Sequence, residues 1–498
     1  RTTERMLFNS LQFAVFFPAA ALIYFVIPKK LRCLWLLLAS YVFYMSANPK
    51  YAVLLLFSTV VTYAGGLLLG RVPENRKKAV LALVFAACLA VLALFKYFDF
   101  LLGNLNTALG ALGFGAVSSP FRFALPLGIS FYTFQALGYL VDVYRGDTEP
   151  ERNILRYGLF VSFFPVILSG PIERSTGLLR QIRELPEKAL WKFERVRDGL
   201  TLILFGLFQK MVIADRIAIL ADQVFDNYRM YEMFALMTGA AAYAIQIYCD
   251  FTSYSLMAFG VAKVLDFGIT ENFNTPYFSR SMREFWRRWH ISLSSWFRDY
   301  LYIPLGGSRC GKIRRYFNLM ATFLVSGLWH GASWSYVAWG GLHGLYQIIG
   351  YELKGVKEKI NEKLHTKTEA LSYRLGQVLV TFGLTAFAWI FFRSPSIGTA
   401  FDYIRRMVTK PDFWSFFNGE LYNLGLDRTE MNVLIVSLAA LFLVELVRYF
   451  RKQQLDAFLA EQNLWFRWAV LLALIGAVAV FGIYGPGYDA QQFIYFQF

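Results

Sequence analysis

Apolar runs of about 20 residues, the length that covers roughly 30 Å of hydrocarbon as a helix, recur along the whole chain. They fall near 7–27, 31–48, 51–70, 79–101, 121–143, 199–221, 233–260, 317–335, 336–351, 372–392, 432–450 and 465–484. The pattern predicts an all-α polytopic membrane protein with about 12 transmembrane helices. The polar positions between the runs are short and basic. Lys29, Lys30 and Arg32 follow the first run, and Arg71, Arg76, Lys77 and Lys78 follow the third. Loops rich in Lys and Arg stay on the cytoplasmic side, which predicts an outside N-terminus. The same alternation puts residues 261–316, the Lys-rich 352–369, and Arg451 with Lys452 inside, and an even number of crossings returns the C-terminus to the outside.

Three stretches break the alternation. Residues 154–172 are apolar but interrupted by Pro165, Gly170 and Pro171, with basic flanks on both sides. A segment that enters and leaves on one face is expected to be re-entrant or wrapped in other helices, because irregular backbone in a membrane needs protein cover. Residues 173–198 mix Lys and Arg with acids and scattered apolar positions, and predict an interfacial helix on the cytoplasmic side. The longest outside loop, 393–431, carries Arg405 and Arg406 against the charge rule. There is no internal repeat and no hydrophilic stretch long enough for a separate domain, so residues 1–498 are expected to form one integral membrane domain. MLFNSLQF, from Met6, reads as a natural start, with residues 1–5 as an extension and no cleavable signal, and 485–498 as an extracellular tail.

Composition agrees with the pattern: 57% hydrophobic and 18% aromatic residues mark a membrane protein in substance. The net charge of +16 invites a nucleic-acid reading, which fails because the cations are parcelled into short loops between spans. Cys33, Cys88, Cys249 and Cys310 have neither disulfide nor metal-ligand spacing, so no metal site is expected.

Candidate chemistry concentrates between Arg283 and His343, which hold three of the four histidines. Arg283, Arg287, Arg288 and Arg298 are interleaved with Phe285, Trp286, Trp289, Trp296, Phe297 and Tyr300, a pattern expected of a helix lying at the membrane surface with rings in the lipid boundary and cations toward headgroups. The apolar stretch that follows carries His330 between Trp329 and Gly331, and an ionisable group at that depth marks a functional site by default. The bland reading is a satisfied core imidazole. The sharper one is a general base, walled by Trp329, Trp334 and Trp339 and reached from the basic entry surface, with Gly327 and Gly331 allowing a backbone or ligand to come close. His290 is placed on the surface helix, where donor contact and catalysis are equal readings. His343 is given a structural role and His365 none. In the run AIQIYCDFTSYS, Gln246 and Asp250 share a helix face. Gln246 reads as a helix contact, whereas Asp250 needs a cationic partner, for which the arginines between 280 and 298 are candidates.

The run FWRRWHISLSSWFRDYLYIPLGG followed by LWHG resembles the membrane-bound O-acyltransferase family, MBOAT, in the bacterial branch that O-acetylates alginate and other cell-surface polysaccharides. The likeness extends over MLFNSLQF, LASYVFYMSANPKY, ALPLGISFYTFQALGYLVDVYRG, FFPVILSGPI, YCDFTSYSLMAFGVAKVLDF and FIYFQF, essentially the whole chain. It departs at Asp266, where a glycine is expected after Leu265; this touches a helix end and leaves the site unaffected. The resemblance implies a multi-pass protein of the bacterial inner membrane, with tilted helices in a ring around a central tunnel, His330 as the catalytic histidine and His290 as the second characteristic one. It implies no bound cofactor, an acyl thioester donor such as acetyl-CoA or an acyl carrier protein, a polysaccharide acceptor and an extracellular SGNH esterase-like partner.

FIYFQF also fits the F-x-Y-x-x-F pattern of related cell-surface acylation systems, in which the tyrosine, here Tyr495, receives the acyl group or docks a partner. Tyr484 to Phe498 spans about 45 Å at roughly 3.3 Å per residue, which exceeds the half-thickness of the hydrocarbon core, about 15 Å. A phenol of pKa about 10 would need a base such as His330 to act as nucleophile at neutral pH. Three alternatives stay open: D-alanyl transfer to teichoic acid, O-acylation of a lipid or protein, and, from a different class, a transporter or channel using the intramembrane polar groups.

Overall fold

In the computed structural model, residues 6–119, 125–188 and 191–484 are described; the proposed extension 1–5 and the tail 485–498 with Tyr495 lie outside them. The described chain is helical, with no strand among those residues. By its internal contacts it falls into two units, the first covering residues up to 199 with 261–270, the second 200–260 with 271 onward.

The first unit opens with α1 (Leu11–Val26), α2 (Arg32–Met45), α3 (Ala52–Leu69), and α4, a continuous 38-residue helix over Glu74–Ala111 with a π-helical turn at Ala93–Tyr97. Next come α5 (Ile129–Arg145) and α6 (Ile154–Ser162). Residues 157–173 are all buried, although the helix ends at Ser162 ahead of Pro165. Cover of this kind supplies partners that lipid lacks. Gln135 Nε2 donates to the Phe160 carbonyl at 2.5 Å, its Oε1 accepts from Glu173 N at 3.2 Å, and Ser40 Oγ accepts from Phe164 N at 3.1 Å. The expected interfacial helix over 173–198 does not form as one element. Pro186 and the capping geometry around it divide it into a π-turn (Ser175–Leu179), a single turn (Arg180–Arg183) and a 3-10 turn (Leu185–Glu187), and α7 (Phe193–Leu207) starts only afterwards.

In the second unit, α7 runs through the π-helical Phe208–Ala214 into α8 (Asp215–Asp226), followed by the 32-residue α9 (Met233–Val264), which continues into the first unit at its C-terminal end. The basic-aromatic stretch forms two short helices, α10 (Met282–Arg288) and α11 (Ile291–Phe297). Ser281 caps α10 by accepting from Glu284 N at 3.2 Å. A tight hairpin of α12 (Lys312–His330) and α13 (Trp334–Lys363) follows, with Ser333 as the cap of α13. The unit closes with α14 (Leu371–Arg393), α15 (Ile397–Thr409), α16 (Arg428–Arg451) and α17 (Leu464–Phe481).

Five of the described helical stretches are long and apolar enough to cross a membrane: Pro49–Leu69, α4, α14, α16 and α17. The other predicted spans map onto helices that are shorter, such as α2 with 14 residues, or carry polar groups inside, such as α9 with Gln246 and Asp250. No residue of α17 is fully buried, and Leu464, Trp465, Trp468, Leu472, Ile475 and Val480 are exposed, an apolar face suited to lipid.

Candidate active site

The site begins with two breaks in regular backbone. Between α10 and α11 the chain kinks at Trp289–His290, where His290 adopts a left-handed φ of 42°. A β-carbon makes that conformation costly, so neighbouring structure has to hold it. Asn272 does so: its carbonyl accepts from Ile291 N at 2.9 Å, and its side-chain oxygen accepts from Ser292 N at 3.3 Å and Ser292 Oγ at 2.6 Å. Asn274 N donates to the Arg288 carbonyl at 3.0 Å on the other side of the kink. The second break is at His330, the last residue of α12, after which Gly331 is extended.

These breaks bring the two imidazoles together. Their ring centroids are 6.4 Å apart, with His290 1% and His330 4% exposed. His330 is ringed by Trp329 at 5.0 Å, Trp339 at 5.1 Å and Phe392 at 5.4 Å, and His290 by Phe251 at 4.6 Å and Trp329 at 6.2 Å. Trp289, 1% exposed, packs on Phe273 and Trp389. His343 sits one layer away against Trp339 at 4.9 Å. Trp286 Nε1 donates to its Nδ1 at 3.2 Å. An indole only donates, so Nδ1 is the acceptor, and the ring is packed between Trp286 and Trp339.

The basic-aromatic stretch differs from the lipid-surface helix that its pattern predicts. Phe285, Trp289, Trp296 and Phe297 are buried in protein, and so is His290, because the kink turns the aromatic side inward. The arginines separate into two kinds. Arg287 and Arg298 are exposed, Arg298 lying against Asp299 at 2.7 Å. Arg288 instead binds Glu284 at 2.8 Å and Thr275 Oγ1 at 2.9 Å, bracing the loop that carries Asn272.

Curated relatives cover nearly the whole chain. It is 35% identical to the probable alginate O-acetylase of Pseudomonas syringae pv. tomato over 458 residues, 91% of this chain and 84% of the relative. It is 34% identical to the peptidoglycan O-acetyltransferase of Helicobacter pylori over 435 residues, 81% of this chain and 80% of the relative. The model of the membrane-bound O-acyltransferase family matches residues 151–375, which include His290, His330 and His343. The chain belongs to the membrane-bound O-acyltransferase family. Identity to the teichoic acid D-alanyltransferase of Bacillus subtilis is lower, 27% over 278 residues, 53% of this chain and 68% of the relative.

As an MBOAT enzyme the chain is an acyltransferase, and its sequence hides several of the groups that shape the site. Asp250, 2% exposed, is paired with Lys210 at 2.5 Å, and the same ammonium binds Asp215 at 2.9 Å. Of the expected arginine partners, Arg280 and Arg288 lie against Glu284 and Arg298 against Asp299, and the cation at Asp250 is Lys210, buried on the π-helical stretch Phe208–Ala214. A lysine inside the predicted span 199–221 is itself a signal in the sequence that a buried acid lies nearby. Gln246, 7% exposed, lies one turn before Asp250 on α9, and Phe251 carries that helix to His290. Arg448 of α16 is a second hidden brace: it donates to the Phe273 carbonyl and pairs with Glu271, flanking Asn272. Nothing local in the sequence ties Asn272 to a histidine eighteen positions later. No cluster of His, Cys, Asp or Glu able to hold a metal occurs among the described residues.

Proposed function

We propose that this MBOAT enzyme moves an acyl group, acetyl, from a cytoplasmic thioester donor through the membrane for O-acetylation of an extracellular polysaccharide. The observation that carries the reading is the buried juxtaposition of His330 and His290 inside an aromatic shell, in a chain with relatives over four fifths or more of its length that bear the names alginate O-acetylase and peptidoglycan O-acetyltransferase. Burying two imidazoles is costly, and a cell-envelope acyltransferase has a use for a base in a dry passage. In this reading the helices form a ring of about 12 crossings around a tunnel that meets at His330, in the inner membrane with both termini outside.

The chemistry is that of acyl transfer. His330 accepts the proton of the incoming hydroxyl as its oxygen attacks the thioester carbonyl. The tetrahedral intermediate then collapses, the C–S bond breaks, and the thiolate takes a proton from the imidazolium. His290 and Trp329 orient the acyl group, and Arg287, Arg298 and the neighbouring cations hold the anionic donor at the entry. Tyr495, in the tail, is the proposed first acceptor, from which an SGNH esterase-like partner carries the acetyl group to sugar hydroxyls. Asp250 and Asp215 are tied to Lys210, and Glu445 to Arg448, so these acids are held in ion pairs, an observation that favours acyl transfer over a transporter reading.

The test is polymer acetylation in cells carrying H330A. General-base loss costs about 10²- to 10⁴-fold, so acetate released from isolated polymer should fall below detection while the protein accumulates normally in membranes. Retained acetylation at equal expression would remove His330 from its role. Y495F keeps the ring and loses only the oxygen; unchanged acetylation would sink the relay and leave docking. Alanine in place of acetate in the released material would shift the reaction to D-alanyl transfer.

A further inference from the structure

Residues 394–427 lie between α14 and α16, two stretches able to cross a membrane. The far end of α14 is preceded by Lys354, Lys357, Lys359, Lys363 and Lys367, and α16 runs to Arg448, Arg451 and Lys452. Both of those ends are cytoplasmic by the charge rule, so 394–427 emerges on the opposite face. Arg405 and Arg406 thus sit where topology alone disfavours cations.

Their surroundings give them a use. A cavity of about 820 Å³ is lined by Arg229, Arg405, Arg406 and Lys410, with Thr399 and a single carboxylate, Asp402. Asp402 is already engaged: Tyr228 OH donates to it at 2.8 Å, Arg405 binds at 2.8 Å and Arg229 stands at 3.8 Å. The Tyr228 hydroxyl and Arg405 hold its carboxyl below the usual aspartate range, so it stays ionised and leaves a clear positive excess. The side chains of Arg229 and Arg405 are 80% and 76% exposed, with heads in water. Arg406 is the pre-set member, its Nε donating to the Tyr231 carbonyl at 2.6 Å. Guanidinium forks beside hydroxyls match carboxylates. The volume lies within the range of small-ligand sites, about 300–1,000 Å³. The lining has no aliphatic residue and so lacks the apolar centre that a protein interface builds around.

The cavity is also joined to the chemistry. Phe392, at the end of α14, stacks edge-on against His330 at 5.4 Å, and Ser396, four residues on, lines the cavity. Arg393 between them is fixed by Asp222 at 2.7 Å and Asp226 at 3.1 Å, so the link is rigid.

We propose that this cavity is a binding site for a carboxylate-bearing saccharide, which it holds at the outer end of the acyl path. The inference rests on the acyltransfer reading above and adds the substrate's charge and its place of contact. The experiment titrates the full chain, in discs of zwitterionic lipid, with uronic-acid oligosaccharides and with neutral oligosaccharides of the same length. Uronate oligomers should bind, more weakly as salt rises, and neutral ones should not. R229A/R405A, whose side chains reach into water, should weaken uronate binding at least tenfold with an unchanged thermal midpoint. Equal binding of neutral oligomers, or wild-type affinity in R229A/R405A, overturns the proposal. Binding of an acidic protein without any uronate binding also overturns it, reassigning the face to a protein partner. H330A separates the two readings: uronate binding by an H330A chain that still acetylates polymer would fail the function alone, whereas an inactive H330A alongside a wild-type chain blind to uronate would fail the cavity alone.

Discussion

His290 and His330 face one another at a centroid separation of 6.4 Å although they stand forty positions apart in the chain. Neither ring comes from the middle of a helix. His290 is on a left-handed kink between α10 and α11, and His330 is the final residue of α12 before an extended glycine. Side chains inside a helix point back over the preceding turn, so two helices pack their ridges without meeting ring to ring at will. Ending one helix and kinking the other frees both imidazoles to converge, and the cost of the kink is met by Asn272.

That arrangement makes the His290 backbone and the His290 ring separable. H290G keeps access to a positive φ and removes the imidazole, whereas N272A keeps the ring and removes the acceptor for Ser292 N and Oγ. N272A should lower stability by about 1–3 kcal/mol through loss of the buried hydrogen bonds that Ser292 N and Oγ donate to it. H290G leaves a cavity in the aromatic shell and so loses some stability, and at a temperature where it stays folded it should still lose acetyl transfer. A fully active H290G would show that the ring serves only to pack.

Lys210 holds two carboxylates at once, with side chains of Lys210 and Asp250 1% and 3% exposed. Removing the cation strands both acids, so K210M should cost about 3–5 kcal/mol, as breaking a buried pair does. D250N relieves one charge and leaves Lys210 with Asp215, so its loss should be the smaller. Thermal unfolding of the two variants in the same lipid checks the order. K210M as stable as wild type would mean that the pair is solvated in the protein.

Much of the fold was legible because lipid imposes long apolar runs, and α3, α4, α14, α16 and α17 stand where those runs predict them. The buried irregular stretch after Ser162 was legible for the same reason, since Pro165, Gly170 and Pro171 interrupt an apolar run. Local pattern could not reveal long-range bracing. Arg288 and Arg298 look alike in the sequence, yet one is consumed by Glu284 and Thr275 and the other faces solvent. The inward turn of Lys210 needs a π-helical register that hydropathy does not encode. His290 was misplaced on a surface helix because alternating arginine and tryptophan mimics an interfacial pattern, and only Asn272, distant in sequence, converts it into a buried kink.

The two kinds of arginine should respond differently to substitution. Arg287 is exposed and available to an anionic donor, so R287E should raise the donor KM several-fold, more at low salt, with kcat unchanged. Arg288 anchors the Asn272 loop, so R288A should lower stability and kcat together. Steady-state kinetics at two ionic strengths tells them apart. A salt-independent KM in R287E would place donor entry elsewhere.

The hairpin of α12 and α13 holds His330 against Trp339, and its closeness depends on two glycines. A β-carbon on Gly327 would lie 2.2 Å from the Tyr336 carbonyl oxygen, and one on Gly340 would lie 2.2 Å from the Phe323 carbonyl oxygen. Both obstacles are backbone, so neither can swing away as a side-chain tip would. Gly341, next along, meets only Leu324 Cδ2 at 3.4 Å, ordinary contact with a movable methyl. G327A and G340A should therefore force the helices apart and cost about 1–3 kcal/mol, as overpacked cores do, while G341A stays near wild type. His330 lies one turn beyond Gly327, and Trp339 directly precedes Gly340, so the same separation opens the 5.1 Å contact between those rings. Misplacing a reacting group by about 1 Å costs on the order of 10²-fold in rate. The acetyl-transfer kcat of G340A should accordingly fall further than its stability loss alone explains, measured at a temperature where both variants remain folded. Equal kcat in G340A and G341A would mean that hairpin spacing does not set the position of His330.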